Sequence, residues 1–203
     1  SQGNIYVAHT YEIWKWNGAV WSTLPLPDPE YLGNLEGIFS FAVAHDDSLW
    51  LGTGQGLVHI VNGQFTLYNE ANSPMPAQLV ASIAVRDDGL VAAACHTLLS
   101  TTPFPSGVAL INGDASVPGN WTIYSYATHP IYHYQLSAVE FDRDGNLWLN
   151  SQRGAMGTDV SSVLMFRAAQ LAGLNAGRQL SADVVVARTT SNWFSMPQMP
   201  PWS

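Results

Sequence analysis

The feature that most restricts the fold of this 203-residue chain is an internal repeat. Four short apolar segments resemble one another: GNIYVAHT (3–10), DSLWLGTG (47–54), DGLVAAAC (88–95) and GNLWLNSQ (145–152). Steps of 44, 41 and 57 residues separate the positions taken as equivalent, which are Ile5, Leu49, Leu90 and Leu147. Periods of about 20–50 residues are typical of repeat arrays and propellers.

Two further recurring segments accompany these strands. Asn-Gly pairs begin at Asn17, Asn62 and Asn112, with steps of 45 and 50 residues. An Asn-Gly pair between apolar runs predicts a hairpin, because both residues tolerate the positive φ of a type I′ turn. The segments FSFAVAHDD, VASIAVRDD and LSAVEFDRD each end at an Asp-rich break. Each repeat unit is therefore predicted to form four antiparallel strands, which we name a to d, with the Asp-rich break between strands a and b.

Four antiparallel strands in a unit of about 40–50 residues are typical of a β-propeller blade. We predict an all-β fold, a single β-propeller domain of about four such blades or a fragment of a larger propeller. The predicted blades cover 1–37, 38–78, 79–135 and 136–190, and 191–203 would either close the ring or start another blade. The first blade lacks strand a, and SNWFSMP (191–197) is the candidate for it. In the last blade, FRAAQLAGL predicts a helical turn before ADVVVA (182–187) as strand d.

The composition excludes several classes of partner. Fifteen acidic residues stand against seven basic ones, of which only Lys15 is a lysine. Without a cation cluster, neither nucleic acid nor an anionic membrane surface is an expected partner. The sequence contains no apolar run of about 18 residues, so membrane insertion is not expected. With Cys95 as the only cysteine, an internal disulfide and a zinc site of the Cys-pair type are both excluded.

One segment resembles a known repeat family. GLVHIVNGQFTLYNEANSPMPAQLVASIAVRDDG (56–89) is similar to the two-component-regulator propeller repeats of bacterial sensor ectodomains, and VEFDRDGNLWLNS (139–151) fits the same pattern. VLMFRAAQLAG and SADVVVA are closer to the streptogramin-lyase-like propellers. The resemblance implies a propeller fold and an extracellular or periplasmic location. The third blade departs from it, with Val91 where the family usually has Trp.

The Asp-rich break of the last blade raises the question of a metal. Asp142, Asp144 and Asn146 are spaced like the first ligands of a calcium loop, but the downstream Glu is missing. The equivalent breaks, taken as 46–48 and 87–89, carry the same residue types, which indicates a repeated turn requirement. We therefore predict no cofactor, with Ca²⁺ or Mg²⁺ at this break as the alternative.

The candidate ligand-binding residues lie in the d to a and b to c connections, which emerge on one face of a propeller. His129, Tyr132 and His133 form the densest cluster, and His96 and Arg153 from two b to c loops could approach them. The alternative is that these are ordinary polar and aromatic loop residues. No complete catalytic set is apparent, so no catalytic residue is predicted.

A second group of loop residues could bind carbohydrate. Tyr31, Glu36 and Asn72 supply an aromatic face, a carboxylate and an amide. Trp14, Trp16 and Trp21 could add stacking surfaces, but their alternation in strands favours packing between blades.

These features predict a non-enzymatic extracellular propeller module that recognises a glycan, a small molecule or a protein surface, or that serves in assembly. The alternative is a streptogramin-lyase-like or hydrolytic enzyme with a His-based site on the loop face, with or without a metal. A third possibility is a subunit or fragment that forms an oligomer or larger assembly through its open sheet edges.

Overall fold

In the described part of the chain, regular secondary structure consists almost entirely of antiparallel strands. A computed structural model describes residues 3–9, 12–24, 26, 37–97, 106–125, 135–152, 161–171 and 187–189. The first sheet comprises β1 (Ile5–His9), β2 (Glu12–Trp16) and β3 (Trp21–Leu24). The second comprises β4 (Ile38–Val43), β5 (Leu49–Thr53), β6 (Gly56–Val61) and β7 (Gln64–Tyr68).

The third and fourth sheets repeat this arrangement. The third comprises β8 (Leu79–Val85), β9 (Val91–His96), β10 (Ser106–Ile111) and β11 (Trp121–Ser125). The fourth comprises β12 (Gln135–Phe141), β13 (Leu147–Gln152), β14 (Ser161–Phe166) and β15 (Ala187–Thr189). Within each sheet every strand pairs with its neighbour in sequence, which is the meander expected of a propeller blade.

The sheets pack face to face in chain order. The first hydrophobic cluster joins Ile13 of the first sheet to Leu49, Leu51, Val58 and Ile60 of the second. A second cluster joins the second sheet to the third, and a third cluster joins the third sheet to the fourth. Each cluster draws its residues from two consecutive sheets, because alternate residues of a strand point to opposite faces.

The strands β4, β8 and β12, which are the first strands of the second, third and fourth sheets and which we call the inner strands, carry a bulge at the same position. Their registers shift between Ile38 and Ser40, between Val80 and Ser82, and between Leu136 and Ala138. A bulge leaves one residue unpaired in the ladder and increases the local twist. Next to two of these bulges, the Val139 amide donates to Ser82 Oγ at 3.1 Å, which ties the inner strands of the third and fourth sheets together.

The three described Asp-rich breaks are one turn used three times. In each, a residue with positive φ occupies the last loop position: Asp47 (62°), Gly89 (90°) and Gly145 (77°). The residues that close these loops pair as Ala44 with Ser48, Arg86 with Leu90 and Asp142 with Asn146. A three-residue hairpin loop that ends in a left-handed residue has this geometry.

The equivalence of these three turns corrects the sequence alignment at the third sheet. Val91, not Leu90, is the position equivalent to Leu49 and Leu147, because Leu90 closes the turn as Ser48 does. The missing tryptophan therefore falls at Ala92. The sequence alignment was wrong by one residue because both Leu90 and Leu49 are the first apolar residue after an acidic pair.

The Asn-Gly pairs form hairpins of different lengths. Asn62 and Gly63 have φ values of 50° and 76°, which is the type I′ turn predicted. At Asn17 the loop covers four residues, and the Asn17 side chain accepts from the amides of Ala19 and Val20, both at 3.0 Å. Asn112 opens a longer loop that its amide closes on the Asn120 carbonyl at 2.9 Å. The type I′ prediction is therefore wrong at Asn17 and Asn112.

The end of the fourth sheet agrees in part with the sequence. The predicted helical turn is present as α1 (Ala168–Leu171). Strand d was expected over 182–187, and the described strand β15 (Ala187–Thr189) overlaps this range at Ala187. The rest of that expected strand and the SNWFSMP segment lie outside the described residues.

Candidate functional site

Most of the predicted ligand-binding residues lie outside the described part of the chain. These are Tyr31, Glu36, His129, Tyr132, His133 and Arg153. Asn72 and His96 are described, and the two are in different surroundings. The loop-face site as a whole therefore stays a prediction.

Asn72 holds the loop that follows β7. Its Oδ1 accepts from the Asn69 amide at 2.8 Å, and its Nδ2 donates to the Leu67 carbonyl at 2.9 Å. The Asn72 amide in turn donates to the Asn69 carbonyl. Both ends of the Asn72 side chain thus have partners within its own loop, although the residue is exposed. This arrangement assigns Asn72 a role in loop structure.

His96 ends β9 and is buried, with 9% of its surface exposed. Burial lowers the pKa of the imidazole, against a hydrogen bond to the backbone of Leu136 that raises it. The His96 Nδ1 atom and the Oγ of its strand neighbour Ser106 are both buried without a hydrogen-bond partner in the structure. A neutral imidazole that donates through Nε2 leaves Nδ1 as an acceptor. His96 therefore offers a buried acceptor at the loop end of the third sheet.

The Asp142 carboxylate is used by its own turn. Oδ1 accepts from the amides of Asp144 and Asn146, and Oδ2 accepts from Asn146 Nδ2 and Trp148 Nε1, at distances of 2.8–3.0 Å. The bond from Trp148 is the largest of the causes that lower the pKa of Asp142. The Asn146 Oδ1 atom accepts from the amide of Ala168. These donors occupy the oxygens that a calcium ion would need, so the geometry favours the turn.

No group of three or more His, Cys, Asp or Glu side chains within the described ranges is placed to hold a metal ion. No helix among these residues is long and apolar enough to cross a membrane.

A cleft of about 580 Å³ lies between the Asp-rich breaks of the third and fourth sheets. We call it the turn cleft. Its lining combines charged side chains with Val85, Phe141 and Ala168, and the charged members are Arg86, Asp87, Asp88, Glu140, Asp142, Arg143 and Asp144. Each Asp-rich break joins strands a and b, so it lies at the end of strand b that is opposite to the b to c loop. The turn cleft is therefore on the face of the propeller opposite to the predicted ligand-binding site.

Arg86 fixes the shape of the turn cleft. Its guanidinium makes two hydrogen bonds to Asp88, with Nε to Oδ1 at 2.8 Å and Nη2 to Oδ2 at 2.6 Å. Nη1 donates to the Gly145 carbonyl at 3.4 Å, and the guanidinium lies 5.6 Å from the centroid of the Phe141 ring. The bonds to Asp88 raise the pKa of Arg86 and lower that of Asp88. Arg86 therefore bridges two sheets and is not available to a ligand as a free cation.

A second cleft of about 510 Å³ adjoins the turn cleft. It shares Val85, Arg86 and Asp87 with the turn cleft and extends past Phe41 and His45 to the first sheet. Sequence reasoning missed both clefts because it assigned the Asp-rich breaks to chain reversal alone. The charged residues that flank the breaks, Arg86 and Arg143, were the available signal.

A polar chain between the second and third sheets was also missed. Ser48 Oγ donates to Asp46 Oδ1 at 2.6 Å and lies 3.2 Å from His59 Nε2. The His59 ring stacks on Trp50 with centroids 3.7 Å apart, and burial is the main cause that lowers the pKa of His59. Because the Ser48 proton points to Asp46, His59 donates to Ser48 and does not act as its base. This chain of three residues is a structural network.

The stacked antiparallel meanders define the class of the fold, which is the β-propeller. No protein-family model and no curated protein matches this chain. The extracellular domain of the putative hybrid two-component system BT4673 from B. thetaiotaomicron is similar in structure, with a TM-score of 0.55 and 12% identity. That alignment covers 83% of this chain and 19% of the other.

Two further solved structures are less similar. YCF48 bound to D1 peptide has a TM-score of 0.44 and 15% identity, with 78% of this chain and 43% of that chain covered. PorZ, a surface component of the type-IX secretion system of Porphyromonas gingivalis, has a TM-score of 0.41 and 15% identity, with 93% and 34% covered. The first similarity confirms the propeller fold, which the sequence resemblance implied.

Proposed function

We propose that the chain is a non-enzymatic recognition module located outside the cytoplasm. The observation that carries this proposal is the turn cleft, where the side chains of Asp87 and Arg143 have no hydrogen bond to any described residue. Charged side chains held on short turns of a rigid scaffold are suited to binding. The similar extracellular domain of a putative two-component system supports the location and the sensing role.

The lining of the turn cleft favours a particular ligand chemistry. Asp88 is neutralised by Arg86, the Asp142 carboxylate is used by its own turn, and Glu140 is on the opposite face of its strand, which leaves Asp87 and Asp144 against the single cation of Arg143. Phe141 adds an apolar surface between them. We propose a ligand with a cationic group and an apolar part, such as a basic segment of a protein surface or an amino sugar of a glycan.

Binding without turnover tests this proposal. The intact chain is passed over an array of oligosaccharides and an array of basic peptides, and each ligand found is measured by calorimetry and recovered for mass spectrometry. We expect an unchanged ligand whose affinity falls about tenfold in Asp87→Asn, because one charged contact is lost. Glu70→Gln is the matched control, since Glu70 is an exposed carboxylate outside the cleft. Equal affinity of Asp87→Asn and wild type, or a chemically altered ligand, would contradict the proposal.

A His-based enzyme is the second candidate, and the unpartnered Nδ1 of His96 favours it. A neutral imidazole with a free acceptor beside the Ser106 hydroxyl is the arrangement that a general base needs. The test is turnover of chromogenic ester and polysaccharide-lyase substrates by the wild type and by His96→Asn. Turnover that is lost in His96→Asn supports the enzyme, and the absence of turnover in the wild type on both substrate classes counts against it.

A further inference from the structure

The first sheet exposes apolar positions that are buried in the other three sheets. Gly3 has a φ of 73° and takes the place of the left-handed residue of the Asp-rich breaks, so Ile5 is equivalent to Leu49, Val91 and Leu147. Ile5 is 54% exposed, whereas its three equivalents are at most 3% exposed.

Val7 shows the same difference two residues further along β1. It is 49% exposed, and its equivalents Leu51, Ala93 and Leu149 are at most 1% exposed. The strand registers place Val7 beside Trp14 on one face of the first sheet, and Ile5 beside Trp16 on that same face. We call this surface the leading face, and it comprises Ile5, Val7, Trp14, Trp16 and Trp21.

The fourth sheet has the opposite surface uncovered. Trp148 is equivalent to Trp50 and Ala92 and is 42% exposed, whereas Trp50 is 3% exposed and Ala92 is fully buried. The strand registers place Glu140 and Met165 beside Trp148. We call this surface, which comprises Ala138, Glu140, Trp148 and Met165, the trailing face.

Each described interface between sheets joins a trailing face to a leading face. Trp50 of the second sheet and Val91 of the third are in one cluster, and Ala92 of the third sheet and Leu147 of the fourth are in the next. Among the described residues, the first sheet therefore has an uncovered leading face and the fourth sheet an uncovered trailing face of the same interface type. An exposed apolar patch with several large side chains is a surface for association.

We propose that the occupant of the leading face is the trailing face of a second copy of this chain. Such contact is head to tail, so two different surfaces meet and each copy can use both of its own. Two copies would bring together the four described sheets of each, and eight sheets are within the range of about 4–8 blades found in propellers. The surfaces that associate are sheet faces, whereas the sequence had indicated sheet edges.

The net charge of the chain makes a further prediction about this contact. Each copy has a formal net charge of −8 at neutral pH. The leading face is mainly aliphatic and aromatic, so the contact itself is apolar. Long-range repulsion between two copies of the same net charge opposes this contact. Salt screens the repulsion, with a Debye length of about 10 Å at 0.1 M. We expect association to strengthen as the salt concentration rises.

Sedimentation equilibrium of the intact chain over a range of concentrations is the first test, with small-angle scattering to give the shape. We expect reversible self-association that Val7→Asp weakens about tenfold or more, because a buried unpaired charge is costly at an interface. Ala138→Asp, on the trailing face, should weaken association to a similar extent. Val20→Asp is the matched control, since Val20 is 59% exposed in the β2–β3 loop and outside both faces.

Mixing the two variants separates head-to-tail contact from other arrangements. A Val7→Asp copy keeps an intact trailing face, and an Ala138→Asp copy keeps an intact leading face, so the mixture should form heterodimers although each variant alone does not. In a face-to-face dimer only one of the two substitutions would act and mixing would restore nothing. That result would overturn the proposal, as would a wild type that stays monomeric at every concentration, for instance because its own ends close the ring. Circular dichroism of each variant checks that the fold is kept.

Discussion

At the scale of single residues, the repeated turn shows which positions the fold strains. Asp47 adopts a φ of 62°, and glycine occupies this position in the two equivalent turns. The left-handed region costs a non-glycine residue about 1–2 kcal/mol. The Asp47 Oδ1 atom is also buried without a hydrogen-bond partner in the structure.

We therefore expect Asp47→Gly to raise the free energy of unfolding by about 1 kcal/mol, since the relief of strain exceeds the added entropy of the unfolded chain. Urea unfolding followed by tryptophan fluorescence measures this change. Asp87→Gly is the control, because Asp87 is in the equivalent turn of the third sheet without a positive φ. A lower stability of Asp47→Gly than of the wild type would contradict the strain argument.

The lowered pKa values of two His and two Asp residues predict that the stability of the fold decreases in two steps as the pH falls. Burial lowers the pKa of His59 and of His96 below the ordinary value of 6.5, so the unfolded chain binds more protons there. Stability should therefore begin to fall as the pH drops through about 6.5. Hydrogen bonds lower the pKa of Asp46 and of Asp88 below the ordinary 3.8, so their contribution is present above about pH 3.8 and is lost below it.

Thermal unfolding between about pH 8 and pH 2 measures both steps. His96→Asn should make the first step smaller and leave the second unchanged. A melting temperature that does not change between about pH 7.5 and pH 5.5 would show that neither imidazole is held neutral by the fold.

At the scale of strands and sheets, close approach of backbones decides which residues are tolerated. A Cβ atom on Gly52 would lie 2.5 Å from the Val80 carbonyl oxygen and 2.6 Å from Ser40 Oγ. Val80 is in the next sheet, and its carbonyl cannot move without shifting β8. Gly52 therefore sets the distance between the second and third sheets.

We expect Gly52→Ala to lower the free energy of unfolding by about 1–3 kcal/mol, because it overpacks this interface. Gly119→Ala is the matched control, since a Cβ atom there would meet nothing within 4 Å. Denaturant unfolding of the two variants makes the comparison. Equal stability of Gly52→Ala and Gly119→Ala would show that the sheets can separate at low cost.

The same scale shows where sequence patterns sufficed. The alternation of residues and the Asp-rich breaks predicted the strands of the second and third sheets, and Asn62-Gly63 predicted a two-residue turn. Asn17-Gly18 and Asn112-Gly113 predicted the same turn and formed longer loops. The dipeptide favours a hairpin, but the pairing of the flanking strands sets the loop length, and that pairing depends on which side chains reach the core.

At the scale of the whole molecule, Cys95 reports on the contact between the second and third sheets. Its thiol is fully buried in the cluster that joins them, and burial raises its pKa well above the ordinary range. A thiol that is neither ionised nor accessible is unreactive. It becomes reactive only when the two sheets separate.

We therefore expect an aromatic disulfide reagent to label Cys95 in denaturant and not in native buffer. The labelling rate against urea concentration, compared with tryptophan fluorescence, measures whether the sheets separate as one unit with global unfolding. Fast labelling in native buffer would mean that the second and third sheets part independently of the rest of the chain.

The sequence by itself determined the repeat, the antiparallel blade and the positions of the turns, because these follow from local periodicity and from backbone preferences. The tertiary structure alone decided which residues of each repeat are buried and which contacts they make. Equivalent positions such as Leu49 and Ile5 are buried or exposed according to whether another sheet stacks on them. It also joined Arg86 to Gly145 across two sheets to form the turn cleft. Such contacts depend on neighbours distant in sequence, which a repeat pattern does not encode.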